Sequence, residues 1–473
     1  MWQRRHPRSI PTSERGIALI MVLTAIAIFT AVVVDFTYSS RVELDLAANG
    51  RDELRAYFMA KSAVNLSRMV LHFQKELDKS PLASGGAGGI PGLGALGTAG
   101  APGGIGNLFG DLGKSLGGAG ANPLAGLPGA GGINIQLFKL IPIDSGTIQL
   151  FLGGAGITGP GDAFDDKGGL KPLPKEDHAF PLDGDPSPGG AGHGDKGKVK
   201  SFGDFSGSYH AEIDDEETKF NVARLDALGQ DQQNAAMQGL RILGDKRYEW
   251  LYDEEDANGT RTSARDLLIN ITDYLDVDQT ASALNLGAGN NILIKGTGDE
   301  NQPYSRYKPS YKPKNAALDS IDELYMVDGV SDRMMAAFRD RMTVFPDKNH
   351  PFNINTDDPF MQLQAIYAVA ENPNDPLLQS PLVLQTIMRG LGAAKMFPGM
   401  GLTMGQFVGI IEAAKVKVNG GLKANLAGNR VISDKSETFT IHASGEVGKA
   451  EKKLTAVIRT DSGLGQLMYW REE

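Results

Sequence analysis

The sequence predicts an α+β chain: one long N-terminal helix, a small antiparallel β-sheet packed on it, and a large all-α domain inserted into that sheet. Three observations carry the prediction. Ile17 to Val34 is an apolar run broken only by the small hydroxyl side chains of Thr24 and Thr30. Strand-like alternation occurs from Ser208 to Ile213 and again from Thr438 to Thr460. Between these, from Ala223 to about Asn425, apolar residues recur at the three- and four-residue steps of helices.

The apolar run comes first. At about 1.5 Å per residue it nearly spans a hydrocarbon core of about 30 Å. Arg4, Arg5, Arg8 and Arg15 precede it and Asp35 follows, so the short basic side stays in the cytoplasm and the bulk of the chain lies across the membrane. An ordinary secretory signal places its small-residue cleavage site after the apolar core. Here Gly16 stands before it. An uncleaved signal anchor is the plainer alternative. The helical pattern continues without proline to Asp78, with Leu54, Tyr57, Phe58, Leu66, Met69, Phe73 and Leu77 at helical steps. A helix over 17–78, membrane-spanning over 17–34, would be roughly 90 Å long.

Composition narrows the functions available. A net charge of −10 speaks against a nucleic-acid partner, which a basic face would meet. The chain has no cysteine, which removes disulfides, zinc thiolate sites and thiol nucleophiles together. Glycine, at 60 residues, is concentrated over 79–134, where a flexible insert is expected because such a segment buries little for its backbone entropy. Gly92-Leu93-Gly94-Ala95-Leu96-Gly97 spells a dinucleotide fingerprint, but no strand precedes it and no helix follows. Gly113-Lys114-Ser115 ends like a phosphate loop, yet Leu108 replaces its first glycine.

Residues 135–222 are read as the first part of the sheet domain. Ile133 to Leu152 alternates enough to predict a hairpin around Asp144-Ser145-Gly146, and a disordered, solvated loop is expected over about 154–205. The strand at Ser208–Ile213 then runs into Asp215-Glu216-Glu217-Thr218-Lys219-Phe220-Asn221. Residues 223–430 form the inserted helical domain, with polar caps such as Ser263, Ser331 and Thr403. Residues 431–473 close the sheet with a hairpin, Phe439, Ile441 and Ala443 sharing a face with Leu454, Ala456 and Ile458.

No catalytic constellation stands out. The seven histidines are scattered, without a His-Glu-x-x-His helix or a Gly-x-Ser-x-Gly elbow, and nothing argues for an enzyme. The best ligand-like cluster is acidic: Asp273, Asp276 and Asp278 at a helix end, with Asp299-Glu300 after a loop. Clustered carboxylates can supply the oxygens that Ca²⁺ takes; capping and solvated carboxylates are the alternative. Glu254 to Gly259 imitates an EF-hand start, but its twelfth position is Arg265. Leu318 to Met334 resembles a helix-hairpin-helix, and Phe352-Asn353-Ile354-Asn355-Thr356 resembles the entry to another. That pattern keeps a membrane-anchored DNA-binding or uptake protein as the alternative function, although Asp328 and Asp332 flank the hairpin Gly329, where phosphate would need a cation.

Taken in order, the leader ending at Gly16, the strand entering Asp215–Asn221, Asp273–Asp278, Gly298-Asp299-Glu300, Ser320–Leu324, Phe352–Thr356 and the closing hairpin resemble the K-type minor pseudopilin family of type II secretion. The resemblance implies a pseudopilin fold, removal of residues 1–16 by a prepilin peptidase, and an N-methylated Ile17. It implies a bacterial inner-membrane protein, single-pass, with its C-terminal bulk in the periplasm. Its expected partners are the I- and J-type minor pseudopilins, with which it caps the pseudopilus tip, and the major pseudopilin; its expected role is to initiate assembly and aid export through the secretin. It also implies Ca²⁺ in the α-domain, carried by matching position onto Asp276, Asp278, Asp299 and Glu300. Pseudopilins usually carry Glu at the fifth mature position; this chain has Met21. A topmost subunit has no neighbour above to pair with a buried carboxylate, and an apolar residue fits that place.

Overall fold

A computed structural model describes residues 12–79, 134–145 and 207–473, apart from 254, 256–258, 260, 288–290, 396–398, 427, 462 and 464. The first helix, α1 (Thr12–Asp78), runs without a break. From Ile17 through Leu46 its large apolar side chains stand exposed, and the helix is long and apolar enough to cross a membrane. Only from Ala56 onward does it acquire a buried stripe, Met59, Ala60, Ala63, Val64, Val70 and Leu71. The same helix is thus greasy all round in its first half and one-sided in its second.

The stripe packs on a five-stranded sheet. Its strands are β1 (Ile143–Asp144), β2 (Ser208–Asp215), β3 (Thr438–Val447), β4 (Ala450–Arg459) and β5 (Gln466–Glu472), in the order β5-β4-β3-β2-β1 and antiparallel throughout. β3 and β4 pair from Thr438↔Arg459 to Val447↔Ala450, and β3 pairs with β2 through Ile441↔Ile213. Phe439, Ile441, Ala443, Leu454, Ala456 and Ile458, read from the alternation as one face, lie in the core with α1. The closing unit is a three-stranded meander, because β5 adds itself to the edge of β4. Helix and sheet touch most closely at Gly445, where an added Cβ would lie 2.1 Å from the Ala56 carbonyl oxygen and 2.5 Å from the Ala60 nitrogen.

The hairpin expected over Ile133–Leu152 is not formed by its first arm. Asn134–Ile135 pairs with Met400–Gly401, Leu137–Leu140 is a short helix, and β1 pairs with β2 through Ile143↔Ala211. Burial explains the difference: Leu137 and Phe138 are neighbours in sequence yet both buried, which a helical turn allows and an alternating strand does not. The second arm, Ile148 to Leu152, the loop over 154–205 and the Gly-rich tract from residue 80 to 133 lie outside the described residues.

Between β2 and β3 stands the helical domain with its own core, built on α2 (Gln230–Leu243), α3 (Ala264–Leu275), α4 (Asp332–Phe338), α5 (Pro359–Val369), α6 (Pro381–Ala394) and α7 (Met404–Ala413). It is not wholly helical: Thr280–Leu284 and Leu293–Asp299 pair as an antiparallel ribbon. The chain enters through Phe220–Asn221, paired in parallel with Met342–Thr343, and leaves through Ile432–Ser433, paired in parallel with Phe352–Asn353. Buried amides knit this junction. Asn353 Nδ2 donates to Asp215 Oδ2 (3.0 Å) and Ser436 Oγ (2.7 Å), and Asn355 Nδ2 donates to the carbonyls of Leu402 (3.0 Å) and Asp434 (3.1 Å). The Phe352–Thr356 motif therefore ties the two domains together at their seam.

Candidate metal centre

Helix α3 begins at a capping box in which Ser263 and Asp266 satisfy each other's backbone N–H groups. Arg265, the twelfth position of the EF-hand-like register, thus lies in the first turn of this helix. The last turn of α3 delivers Asp273, and Asp276 is its C-terminal cap residue. The ribbon of residues 280–284 and 293–299 turns the chain back so that Glu300, immediately after it, faces the helix end. Asp273, Asp276 and Glu300 each bring one carboxylate oxygen within 4.8 Å of the others.

Asn315 completes the cluster from a loop. Its backbone is left-handed, with φ of 46°, a conformation that Asn tolerates better than most residues. Its N–H donates to the Tyr274 carbonyl (3.0 Å), and its Nδ2 donates to Glu300 Oε2 (3.0 Å) and to the Asp278 carbonyl. Its amide thus meets the cluster through Nδ2, at Glu300. Asp276 Oδ1, Glu300 Oε1 and Asn315 Oδ1 are all buried acceptors without a hydrogen-bond donor. Asp273 is held by the Ser282 N–H, 2.8 Å from its Oδ1.

Burial, and after it the neighbouring carboxylates, pushes Asp276 and Glu300 up to about 7 and raises Asp273 as well. Three carboxylates in a largely dry site with oxygens lacking donors lack only positive charge. The three converging groups all offer carboxylate oxygen, which suits a hard cation such as Ca²⁺.

The two other acidic residues singled out in the sequence are placed beside this centre. Asp278 Oδ2 takes the Lys295 ammonium at 2.8 Å and Oδ1 the Thr280 N–H at 2.8 Å, and the lysine hydrogen bond holds its carboxyl below the usual range. Asp299 Oδ1 accepts from the N–H and Nδ2 of Asn301 at 2.9 and 2.8 Å, and the backbone bond leads in lowering its pKa. The structure therefore brings Asp276 and Glu300 together with Asp273, and gives Asp278 and Asp299 other partners. Asn315 had no spacing signal in the sequence; only the fold returns it to the helix end.

The hairpin at Val327–Val330 connects a 3₁₀ helix (Ile321–Met326) to α4, with Gly329 at φ of 85°. The buried Asp328 carboxylate takes Arg306 Nη2 at 2.6 Å and the Tyr307 hydroxyl at 2.7 Å. Its turn holds an internal anion with an internal cation.

Residues 218–347 match the family described as type II secretion system (T2SS), protein K. No curated protein matches the chain. Among solved structures, the fold is similar to a chain in the crystal structure of the GspK-GspI-GspJ complex from the enterotoxigenic Escherichia coli type 2 secretion system. The identity is 16%, over 56% of this chain and 80% of that chain, with a TM-score of 0.38.

Proposed function

Because residues 218–347 match the protein K family of type II secretion, we propose that the chain is a minor pseudopilin that caps a periplasmic pseudopilus. In this reading it assembles with I- and J-type minor pseudopilins, above a shaft of major pseudopilin, and aids export through the secretin. One observation carries the reading beyond the family segment: a helix long and apolar enough to cross a membrane continues, unbroken, into the stripe that packs on the sheet. Such a helix is a membrane anchor before assembly and a packing handle after it. Prepilin peptidase would cut after Gly16 and leave Ile17 methylated at the inner membrane.

Met21 fits the topmost place. A carboxylate there, with no neighbouring N-terminus to pair with, would cost on the order of several kcal/mol as a buried unpaired charge. Ca²⁺ would be held by Asp273, Asp276 and Glu300, where it would neutralise their mutual repulsion and fix the end of α3 against the 280–299 ribbon.

N-terminal sequencing and mass measurement on protein from cells that contain the peptidase test the assignment. The expected product begins at Ile17 with one added methyl group. A chain beginning at Met1, or beyond Val34, overturns the proposal. For the metal, calorimetric titration should show at least about tenfold weaker Ca²⁺ binding for Asp276→Asn and Glu300→Gln, with Asp299→Asn close to wild type. Equal affinity in all three variants would remove the assigned ligands.

A further inference from the structure

A small pocket lies at the entrance to the helical domain, apart from the acidic cluster. Glu217, Lys219, Asn221, Arg224, Gln238 and His350 are among its lining residues. Arg224, in the 3₁₀ turn Val222–Asp226, is 5% exposed. Its Nε is buried without a hydrogen-bond partner, and its side chain forms no ion pair among the described residues. The carboxylate that acts on it, Asp231 of α2, does so only through space.

Lys219, Asn221 and His350 are each held by other partners. Lys219 Nζ is held by Glu216 Oε1 at 2.6 Å. Asn221 Nδ2 donates to the carbonyls of Phe345 (3.1 Å) and Asp347 (3.0 Å), which closes the 345–351 loop over the pocket. His350 Nε2 faces Arg459 Nη2 at 2.9 Å; it must accept there, so its proton sits on Nδ1, 3.7 Å from Glu217 Oε1. Burial pushes the Glu217 carboxyl up to about 8, leaving it neutral near pH 7. Among the described residues, the Arg224 guanidinium is the charge in this pocket that no ion pair meets. A buried cation kept in a pocket by its own fold needs a partner.

We propose that this pocket binds one small monovalent anion against Arg224, of the size of a halide or a single carboxylate group. The anion comes either from solution or from an acidic side chain of a neighbouring subunit; both present the same charge to the guanidinium. It would lock the 345–351 loop to the start of α2, and with it the strand pair by which the chain enters the helical domain.

Thermal unfolding of the full-length protein in detergent tests this, at fixed ionic strength, in sodium chloride, sodium acetate or the sodium salt of a bulky sulfonate buffer. Wild type should unfold about 2–4 °C higher in chloride or acetate than in sulfonate, at an anion concentration about ten times its dissociation constant. Arg224→Met should unfold at one temperature in all three salts, no lower than wild type in sulfonate. Stabilisation stronger in chloride identifies a free-ion site, and stronger in acetate a seat for a subunit's carboxylate. An equal response in wild type and variant, or none in wild type, overturns the proposal. Should Arg224→Met not fold, ³⁵Cl line broadening by wild type, weakened in Arg224→Lys, supports the site in its place, and absence of broadening overturns it.

Discussion

Asp328 is a residue whose surroundings decide between two readings of one motif. Its carboxylate is buried with Arg306 and Tyr307, and Asn270 of α3 donates to its backbone carbonyl at 2.9 Å. Asp328→Ala removes the buried acceptor of the Arg306 guanidinium and the Tyr307 hydroxyl, and we expect a loss of about 2–4 kcal/mol in urea unfolding. Glu217 makes the opposite case. Burial and then Asp215 raise its pKa from 4.5 to about 8, so the folded state binds the proton more tightly than the unfolded one. Its stabilising contribution is complete below pH 4.5 and declines as pH rises to about 8. Asp215 and Asp78, each raised by burial to about 6, push the same way over the lower part of that range. Glu217→Gln should be unchanged at about pH 4 and more stable than wild type at about pH 8 by about 1 kcal/mol or more, read from denaturation midpoints at both pH values. At this scale the sequence displayed Asp273, Asp276 and Asp278 as a string at a helix end and Asp299-Glu300 after a loop, but not that Asp278 and Asp299 take other partners while Asp273, Asp276 and Glu300 converge. It could not display Asn315 or Arg224, since their roles depend on which oxygens and charges lack partners after folding.

Among elements, β3 and β4 were legible because apolar residues alternate along each, although Thr438, Thr440 and Val457 are buried on the other face, and their turn holds Gly448 at φ of 61°. The 133–144 segment was not, because its strand pieces are only two residues long and pair with partners at positions 400 and 211, far beyond any local pattern. Helix α1 was legible in extent; its closeness to β3 was not, since Gly445 in a strand reads equally well as a defect. The distances at Gly445 make it a contact point. Gly445→Val should force α1 away from the sheet and lower the stability of the sheet domain by about 1–3 kcal/mol, measured by hydrogen exchange of the β3 amides, while exchange of the α2 and α3 amides stays unaltered.

Over the whole molecule, two cores share one seam, and a helix longer than both domains need projects from one of them. Met21 is 65% exposed on that projecting segment, so Met21→Glu should fold normally in detergent. Under the capping proposal it should nonetheless reduce pseudopilus number and secretion severalfold, counted by electron microscopy and culture-medium assay; normal assembly would remove the charge argument for a tip position.

The chain also leaves and rejoins this scaffold at paired points. Gln74, one turn before the end of α1, donates to the Ile135 carbonyl at 2.8 Å and accepts the Leu137 N–H at 2.6 Å, while Asp144 and His210 sit opposite each other in the sheet. Each excursion, over 80–133 and 146–206, thus starts and finishes at one doorway. Doubling the length of such a detour costs only about 0.6 kcal/mol in closure entropy. Because the flanking ends are already held together, an epitope or fluorophore spliced into either tract should leave the unfolding midpoint of the helix and sheet unchanged, read by circular dichroism.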